Sequence, residues 1–202
     1  MKIAVVGTGS VGGTLGKALS AKGYDIVYGV SSESKADRTE RKLVGEAIEG
    51  GEVVILATPW PVTGDLVKRN AAGLAGKIVI DATNPLKADL SGLAVGPETS
   101  GAETLQRNAP LAQFYKTFNT TGSQNMAEPR FPEGPAVMFI AGRPGAGMDT
   151  VKGLVSDVGF EAVDAGDLKT ARLLEHLAVL WIQLAYAKGF GRDWAFRIAR
   201  RK

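Results

Sequence analysis

The chain has 202 residues, 45% hydrophobic and 22% charged, enough apolar material for one folded domain with a substantial core. Its 24 basic and 21 acidic residues leave a formal net charge of +3, gathered toward the tail "GRDWAFRIARRK"; without a basic stripe or stacking motif this is too little for a nucleic-acid footprint. The absence of cysteine excludes disulfides, thiol chemistry and sulfur-ligated metals, and a single histidine, His176, excludes a multi-histidine metal site.

In chain order, apolar runs alternate with helical patterns, the arrangement of βαβ units on a parallel sheet. The first run, "KIAVVG", leads into "GTGSVG", where Gly7, Gly9 and Gly12 fit G-x-G-x-x-G between a strand and a helix expected over 11–22. Gly7 permits the tight turn, Gly9 admits a pyrophosphate to the backbone, and Gly12 lets helix and strand pack closely. Thr8, Ser10, Val11 and the N–H groups of the helix start complete the cradle. The second strand, "DIVYGV", ends without the carboxylate that an NAD site carries. Ser31, Ser32, Lys35 and Arg38 follow, which suit a 2′-phosphate, so NADP(H) is the expected cofactor. Glu33 argues for NAD, and Lys35 and Arg38 fit a solvated helix face equally well.

A helix expected over 34–49 precedes "VVILATPW", and another over 61–72 precedes "KIVIDATNP". Ala57, Thr58 and Pro59 follow one of these strands and Thr83 and Asn84 the other, where ligands bind in open α/β sheets; all are candidates to line the ribose and nicotinamide. Asp81 and Asn84 fit turn or cap roles equally well. Residues 85–104 read as a loop over one sheet edge and 120–135 as a second irregular stretch. Further strands are expected in "APLAQFYKTFNT" and "AVMFIAG", then a helix over 147–158, a short strand "EAVDAG", and a helix over 168–188 followed by a basic turn or helix. The expected fold is an α/β Rossmann-type, doubly wound, mostly parallel sheet in a single domain over 1–202. Residues 168–202 would form a C-terminal helical segment packing on it or on a partner.

The helix from Leu173 to Tyr186 is apolar over more than the stripe of about 100° that one core uses. Leu177, Trp181 and Leu184 are expected on the core side, leaving Leu174, Leu180 and the Tyr186 neighbourhood to a partner or a second layer, and a homodimer is expected. There is no export signal, and no apolar run approaches the roughly 20 residues a bilayer requires. The expectation is a cytoplasmic protein with no membrane or nucleic-acid partner.

On "KIAVVGTGSVGGTLGKALSAKGYDIVYG", "GKIVIDATNPL", "YKTFNTTGSQNM" and "DAGDLKTARLLEHLAVLWIQLAY", the chain resembles the NADP oxidoreductase family that uses the deazaflavin coenzyme F420. More distantly it resembles the cytoplasmic reductase domain of the six-transmembrane ferric reductases. The resemblance covers nearly the whole length. It implies a pyrophosphate on Thr8 to Val11, a 2′-phosphate on the turn from Val30 to Lys35, and a nicotinamide beside Thr58, Pro59 and Asn84. It also implies hydride exchange between NADP(H) and a small-molecule acceptor, a deazaflavin or flavin-like ring. Asn119 stands where the family commonly has a histidine, and Asn119 and Thr120 are the candidates for orienting the acceptor; Trp60 and the last helix would complete its wall.

Reduction of a ketone or imine asks instead for a positioned proton donor. Lys116, Tyr115 and His176 are the candidates, and each is expected to serve structure, His176 as a packed residue on an apolar helix. A small carbonyl or imine reductase using one of them, and an NADP(H)-binding sensor or scaffold without turnover, are the alternatives.

Overall fold

The runs KIAVV, VVIL and IVID carry almost no polar residue, so each has to be covered on both faces, as strands inside a parallel sheet are. The computed structural model describes residues 1–37 and 39–201 and shows this arrangement. The first half runs β1 (Lys2–Val6), α1 (Ser10–Ser20), β2 (Asp25–Val30), a 3₁₀ turn at Glu33–Lys35, β3 (Arg41–Leu43), α2 (Val44–Gly50), β4 (Val53–Leu56), α3 (Trp60–Arg69), α4 (Ala71–Leu74) and β5 (Ile78–Asp81). The second half adds α5 (Gly101–Asn108), β6 (Gln113–Lys116), α6 (Ser123–Ala127), β7 (Arg130–Phe131), β8 (Gly134–Pro135) and β9 (Val137–Gly142). It ends with α7 (Ala146–Val158), β10 (Glu161–Gly166), a 3₁₀ turn at Leu168–Thr170, α8 (Ala171–Ile182) and a π-helical turn at Gln183–Ala187.

Among the described residues, eight strands form the main sheet in the order β10-β9-β6-β5-β4-β1-β2-β3. From β3 to β6 all pairs are parallel; β9 joins β6 antiparallel, and β10 runs parallel to β9. The fold is thus Rossmann-type and doubly wound. Alternate strand residues supply two cores. Ile3, Val5, Ile55 and Ile80 pack with Leu15 and Leu19 of α1 and Val151 and Leu154 of α7 on one face. Ala4, Val6, Val54 and Leu56 pack with Ile48 of α2, Val67 of α3, Leu74 of α4 and Leu105 of α5 on the other.

Several expected elements are corrected. The helix over 34–49 is a 3₁₀ turn, β3 and the shorter α2. Asp37 Oδ1 accepts from the Thr39 N–H (3.0 Å), the Thr39 hydroxyl (3.0 Å) and the Arg41 N–H (2.8 Å), a side-chain turn that competes with the helix. The 85–104 loop gives way at Gly101 to α5. Ser100 caps it by accepting from the Glu103 N–H (3.1 Å) while its hydroxyl donates to the Glu103 carboxylate (2.8 Å).

On α8, Leu174 and Trp181 are buried within this chain together with Ala171 and Ala178, while Leu177 is only partly buried and Leu173 is exposed. Leu174 is therefore not left to a partner. After the π-helical turn the tail is extended, not helical. It is fastened by Val137 N–H to Phe196 O (2.9 Å), Trp181 Nε1 to Trp194 O (3.0 Å) and Asn125 Nδ2 to Trp194 O (2.7 Å). Trp194 stacks on Trp181, with ring centroids 5.7 Å apart.

A Cβ at Gly12 would lie 2.0 Å from the Gly7 carbonyl oxygen, a backbone atom that cannot step aside. Gly12→Ala is therefore expected to lower stability by about 1–3 kcal/mol, measured as an earlier midpoint in denaturant unfolding.

Candidate dinucleotide and acceptor site

The parallel strands finish in register, so the residues just past their carboxyl ends lie side by side. Gly7 N–H donates to Gly29 O (3.2 Å), Ala57 N–H to Val6 O (2.9 Å), Ala82 N–H to Leu56 O (3.0 Å) and Thr117 N–H to Asp81 O (3.3 Å). This row holds the expected cofactor residues. Gly7 has φ +103°, and a Cβ there would sit 2.5 Å from the Ala57 carbonyl oxygen, so only glycine makes the turn. Gly9 caps α1, and no protein atom comes within 4 Å of a Cβ placed on it. That open space fits a pyrophosphate brought against the backbone. The α1 ladder begins with Gly13 N–H to Gly9 O (2.8 Å), and the first turn has no acidic side chain, so its leading N–H groups face the space without a competing anion.

A cavity of about 1110 Å³ descends from Thr8, Gly9 and Ser10 between α1 and the Thr39–Arg41 segment, over Ile26 and Tyr28. Lys17 and Arg41 line it, two cations the sequence reading passed over. The basic run "RTERK" after the second strand was the available signal for Arg41. Ser31 and Lys35 are exposed and Ser32 partly so at the end of β2, with the Ser32 and Ser34 hydroxyls 3.0 Å apart. Arg38 lies outside the described residues.

None of Ala57, Thr58, Pro59, Thr83 or Asn84 lines that cavity; they belong to the other end of the strand row. Thr58 and Thr63 share a hydroxyl hydrogen bond (2.8 Å), and Pro59 caps α3. Thr83 is buried and donates its hydroxyl to Asp81 Oδ1 (2.6 Å), so it shapes the turn instead of contacting a ribose. Asn84 Nδ2 donates to Asn119 O (2.9 Å), and Asn119 Nδ2 donates to Asn84 Oδ1 (3.1 Å) and to Leu174 O of α8 (3.1 Å). Asn119 Oδ1 is buried without a partner among the described residues. Thr120 is corrected: its hydroxyl turns into the core toward Met138 Sδ (3.7 Å) and is not available to an acceptor.

Beneath this turn lies a cluster that sequence reasoning did not assemble. Lys116, at the end of β6, is wholly buried; it donates to Asp81 Oδ2 (2.9 Å) and to the Thr83 carbonyl and is ion-paired with Glu175 Oε1 of α8 (3.2 Å). Glu175 also accepts from the Gly101 N–H (2.9 Å) and Ala102 N–H (3.2 Å) at the start of α5. Burial pushes the Glu175 carboxyl above its ordinary pKa, while Lys116 and the two N–H groups pull it back. Sequence reasoning had put His176 inside the apolar helix. The buried polar residue is its neighbour Glu175, and His176 is exposed, its ring Nδ1 2.8 Å from Arg172 O. Tyr115 packs into the opposite core. Among the described residues, then, none of the three proposed proton donors is free at the strand row.

The strand row, glycine turn and helix start together define a dinucleotide-binding oxidoreductase domain. Residues 2–85 match the family described as NADP oxidoreductase, coenzyme F420-dependent. The chain is 29% identical to the F420-dependent NADP reductase of Methanothermobacter marburgensis, covering 91% of this chain and 92% of that protein. It superposes on a crystal structure from Arthrobacter sp. FB24, provisionally assigned as an F420-dependent NADP reductase, with TM-score 0.90 and 32% identity over 99% of this chain and 100% of that one. A Streptomyces aurantiacus imine reductase shares the fold at TM-score 0.69 and 18% identity, over 93% of this chain and 64% of that one. The chain belongs to the F420-dependent NADP oxidoreductase family and is an NADP-dependent oxidoreductase.

A Cβ at Gly9 meets open space, so Gly9→Asp puts a negative charge where the pyrophosphate is expected. The variant is expected to fold with an unchanged melting temperature while calorimetric titration shows loss of NADPH binding.

Proposed function

We propose that the protein transfers hydride between NADP(H) and a deazaflavin ring, as the names of its relatives describe for them. The observation that carries the reading is the pairing of an open glycine cradle with a strand row that has no free proton donor among the described residues. Ring-to-ring hydride exchange asks the protein chiefly to hold two planar groups at roughly 3 to 3.5 Å, whereas carbonyl or imine reduction asks for an acid. When bound, NADPH supplies the hydride from its reduced nicotinamide. The chain's own part is to hold the pyrophosphate on Thr8 to Val11 and the 2′-phosphate with Ser31, Ser32 and Lys35. It would hold the nicotinamide against Thr58, Pro59 and Asn84. Asn119 fixes the acceptor wall through its bonds to Asn84 and α8.

The test follows NADPH absorbance against deazaflavin, FMN, FAD, ferric chelates, quinones, ketones and imines, with NADH as comparison. Turnover with the deazaflavin and a lower KM for NADPH than for NADH is the expected result. Turnover confined to ketones or imines would replace the reading by a carbonyl or imine reductase, and binding without any turnover would favour a sensor.

The same reading includes a homodimer in a cytoplasmic setting, which a cysteine-free chain suits. No helix among the described residues is long and apolar enough to cross a membrane. On the outer side of α8 and beyond it, Leu173 (70% exposed), Leu180 (45%) and Tyr186 (61%) form an uncovered apolar row, and half-buried Leu177 and Leu184 extend it. A Leu173→Glu/Leu180→Glu variant is expected to run as a monomer in light scattering at micromolar concentration, where the wild-type chain runs as a dimer.

A further inference from the structure

The turn that carries Thr83 and Asn84 rests on a buried charge of definite sign. Lys116 contributes one positive charge, and Asp81 and Glu175 one negative charge each; all three side chains are wholly buried. Hydrogen-bond geometry favours both acids as carboxylates, against the burial that pushes the Glu175 carboxyl up. Asp81 Oδ1 receives the Thr83 N–H (2.9 Å) and hydroxyl (2.6 Å), and Oδ2 receives Lys116 (2.9 Å). Glu175 Oε2 receives the Gly101 N–H (2.9 Å), and Oε1 receives the Ala102 N–H (3.2 Å) and is ion-paired with the Lys116 ammonium (3.2 Å). Every partner donates, so a carboxyl proton would have nowhere to go. The neighbouring Arg172 is engaged elsewhere, with Glu103 at 2.7 Å. The sum is one negative charge, offset in part by the partial positive charge of the α5 start.

Oxidised and reduced nicotinamide differ by one positive charge on the ring. A negative charge fixed in a low-dielectric floor favours the charged form of whatever ring lies above it. We propose that the Lys116–Asp81–Glu175 cluster tunes the balance between oxidised and reduced cofactor, so that NADP⁺ is held more tightly, relative to NADPH, than it would be over a neutral floor. The inference rests on the placement of the nicotinamide beside Asn84 argued above. Asp81 and Glu175 act here through their charge and touch no reacting atom.

The experiment measures the Kd of NADP⁺, NADPH and 2′,5′-ADP by calorimetry for the wild-type chain and three variants. Glu175→Gln makes the cluster neutral and is expected to raise the ratio of the NADP⁺ to the NADPH Kd about tenfold. That is about 30 mV in a two-electron couple. Asp81→Asn is expected to move the ratio in the same direction, and 2′,5′-ADP, which has no nicotinamide, should bind all variants alike. Lys116→Met/Glu175→Gln breaks more contacts but leaves Asp81 as one negative charge, so the ratio is expected to return toward the wild-type value. A ratio unchanged in the folded single variants, a double variant further from wild type than Glu175→Gln, or equal weakening of all three ligands would overturn the proposal. Failure of both carboxylate variants to fold would make the cluster a folding element only and overturn it too. A wild-type chain that binds 2′,5′-ADP but neither full cofactor would overturn the nicotinamide placement itself, a result distinct from all of these.

Discussion

Lys116 ends the sixth strand with an ammonium group that no water reaches, and taking such an ion out of water costs several kcal/mol unless its protons are all received. The groups around it come from two places far apart in sequence: Asp81 at the end of β5 with the Thr83 carbonyl in the turn beyond it, and Glu175 on α8. Satisfying one ammonium therefore fixes the end of β5, the cofactor-side turn and the C-terminal helix relative to one another. Asn119 repeats the tie a layer higher by joining Asn84 to the Leu174 carbonyl. The turn near residue 84 and the segments near 119 and 175 that face it are tied into one unit for this reason.

The opposite end of the strand row is governed by closeness of backbone, not by charge. Gly7 meets the Ala57 carbonyl and Gly12 meets the Gly7 carbonyl, both at distances that admit no Cβ, whereas Gly9 faces open space. Two of the three glycines are required by the protein's own packing and one by the group that the protein admits. The acid-free first turn of α1 leaves its N–H groups open to an anion, while Lys17 and Arg41 share the cavity below with Asp25 and Glu40. On the proposed reading a single site runs from the acid-free start of α1, where the phosphates would lie, to a turn over a buried charged cluster, where the ring would lie.

What the sequence made legible follows from how local each signal is. The strand–glycine–helix unit and the other inner strands were readable because turn chemistry and unbroken apolar runs lie within a few residues of each other. α5 was missed in a Gly- and Ser-rich stretch although Ser100 and Glu103 spell an S-x-x-E helix start. On α8 the buried row is Ala171, Leu174, Ala178 and Trp181, continued by Ala185 in the turn beyond. Its alanines mark a close helix contact but were outweighed by larger leucines on the outer side. Glu175 beside His176 shows the limit of the method: burial of a carboxylate depends on a lysine 59 positions away (175 − 116) and on a helix start that had not been recognised. No window along the chain contains that information.

The charged cluster also has a reason in the backbone around it. The first N–H groups of α5, at Gly101 and Ala102, are buried, and so is the Thr83 carbonyl; without partners each would cost about 1–3 kcal/mol. An apolar trio of similar volume would avoid the desolvation of three ions but would strand all three backbone groups. A carboxylate answers the two N–H groups, a lysine answers that carboxylate and the carbonyl, and Asp81 then occupies the last ammonium proton while its other oxygen takes the Thr83 N–H and hydroxyl. The extra negative charge is what remains once each buried donor and acceptor has been matched. It lies under the turn because the unpaired backbone groups lie there, which makes the electrostatics of the site a consequence of where α5 begins.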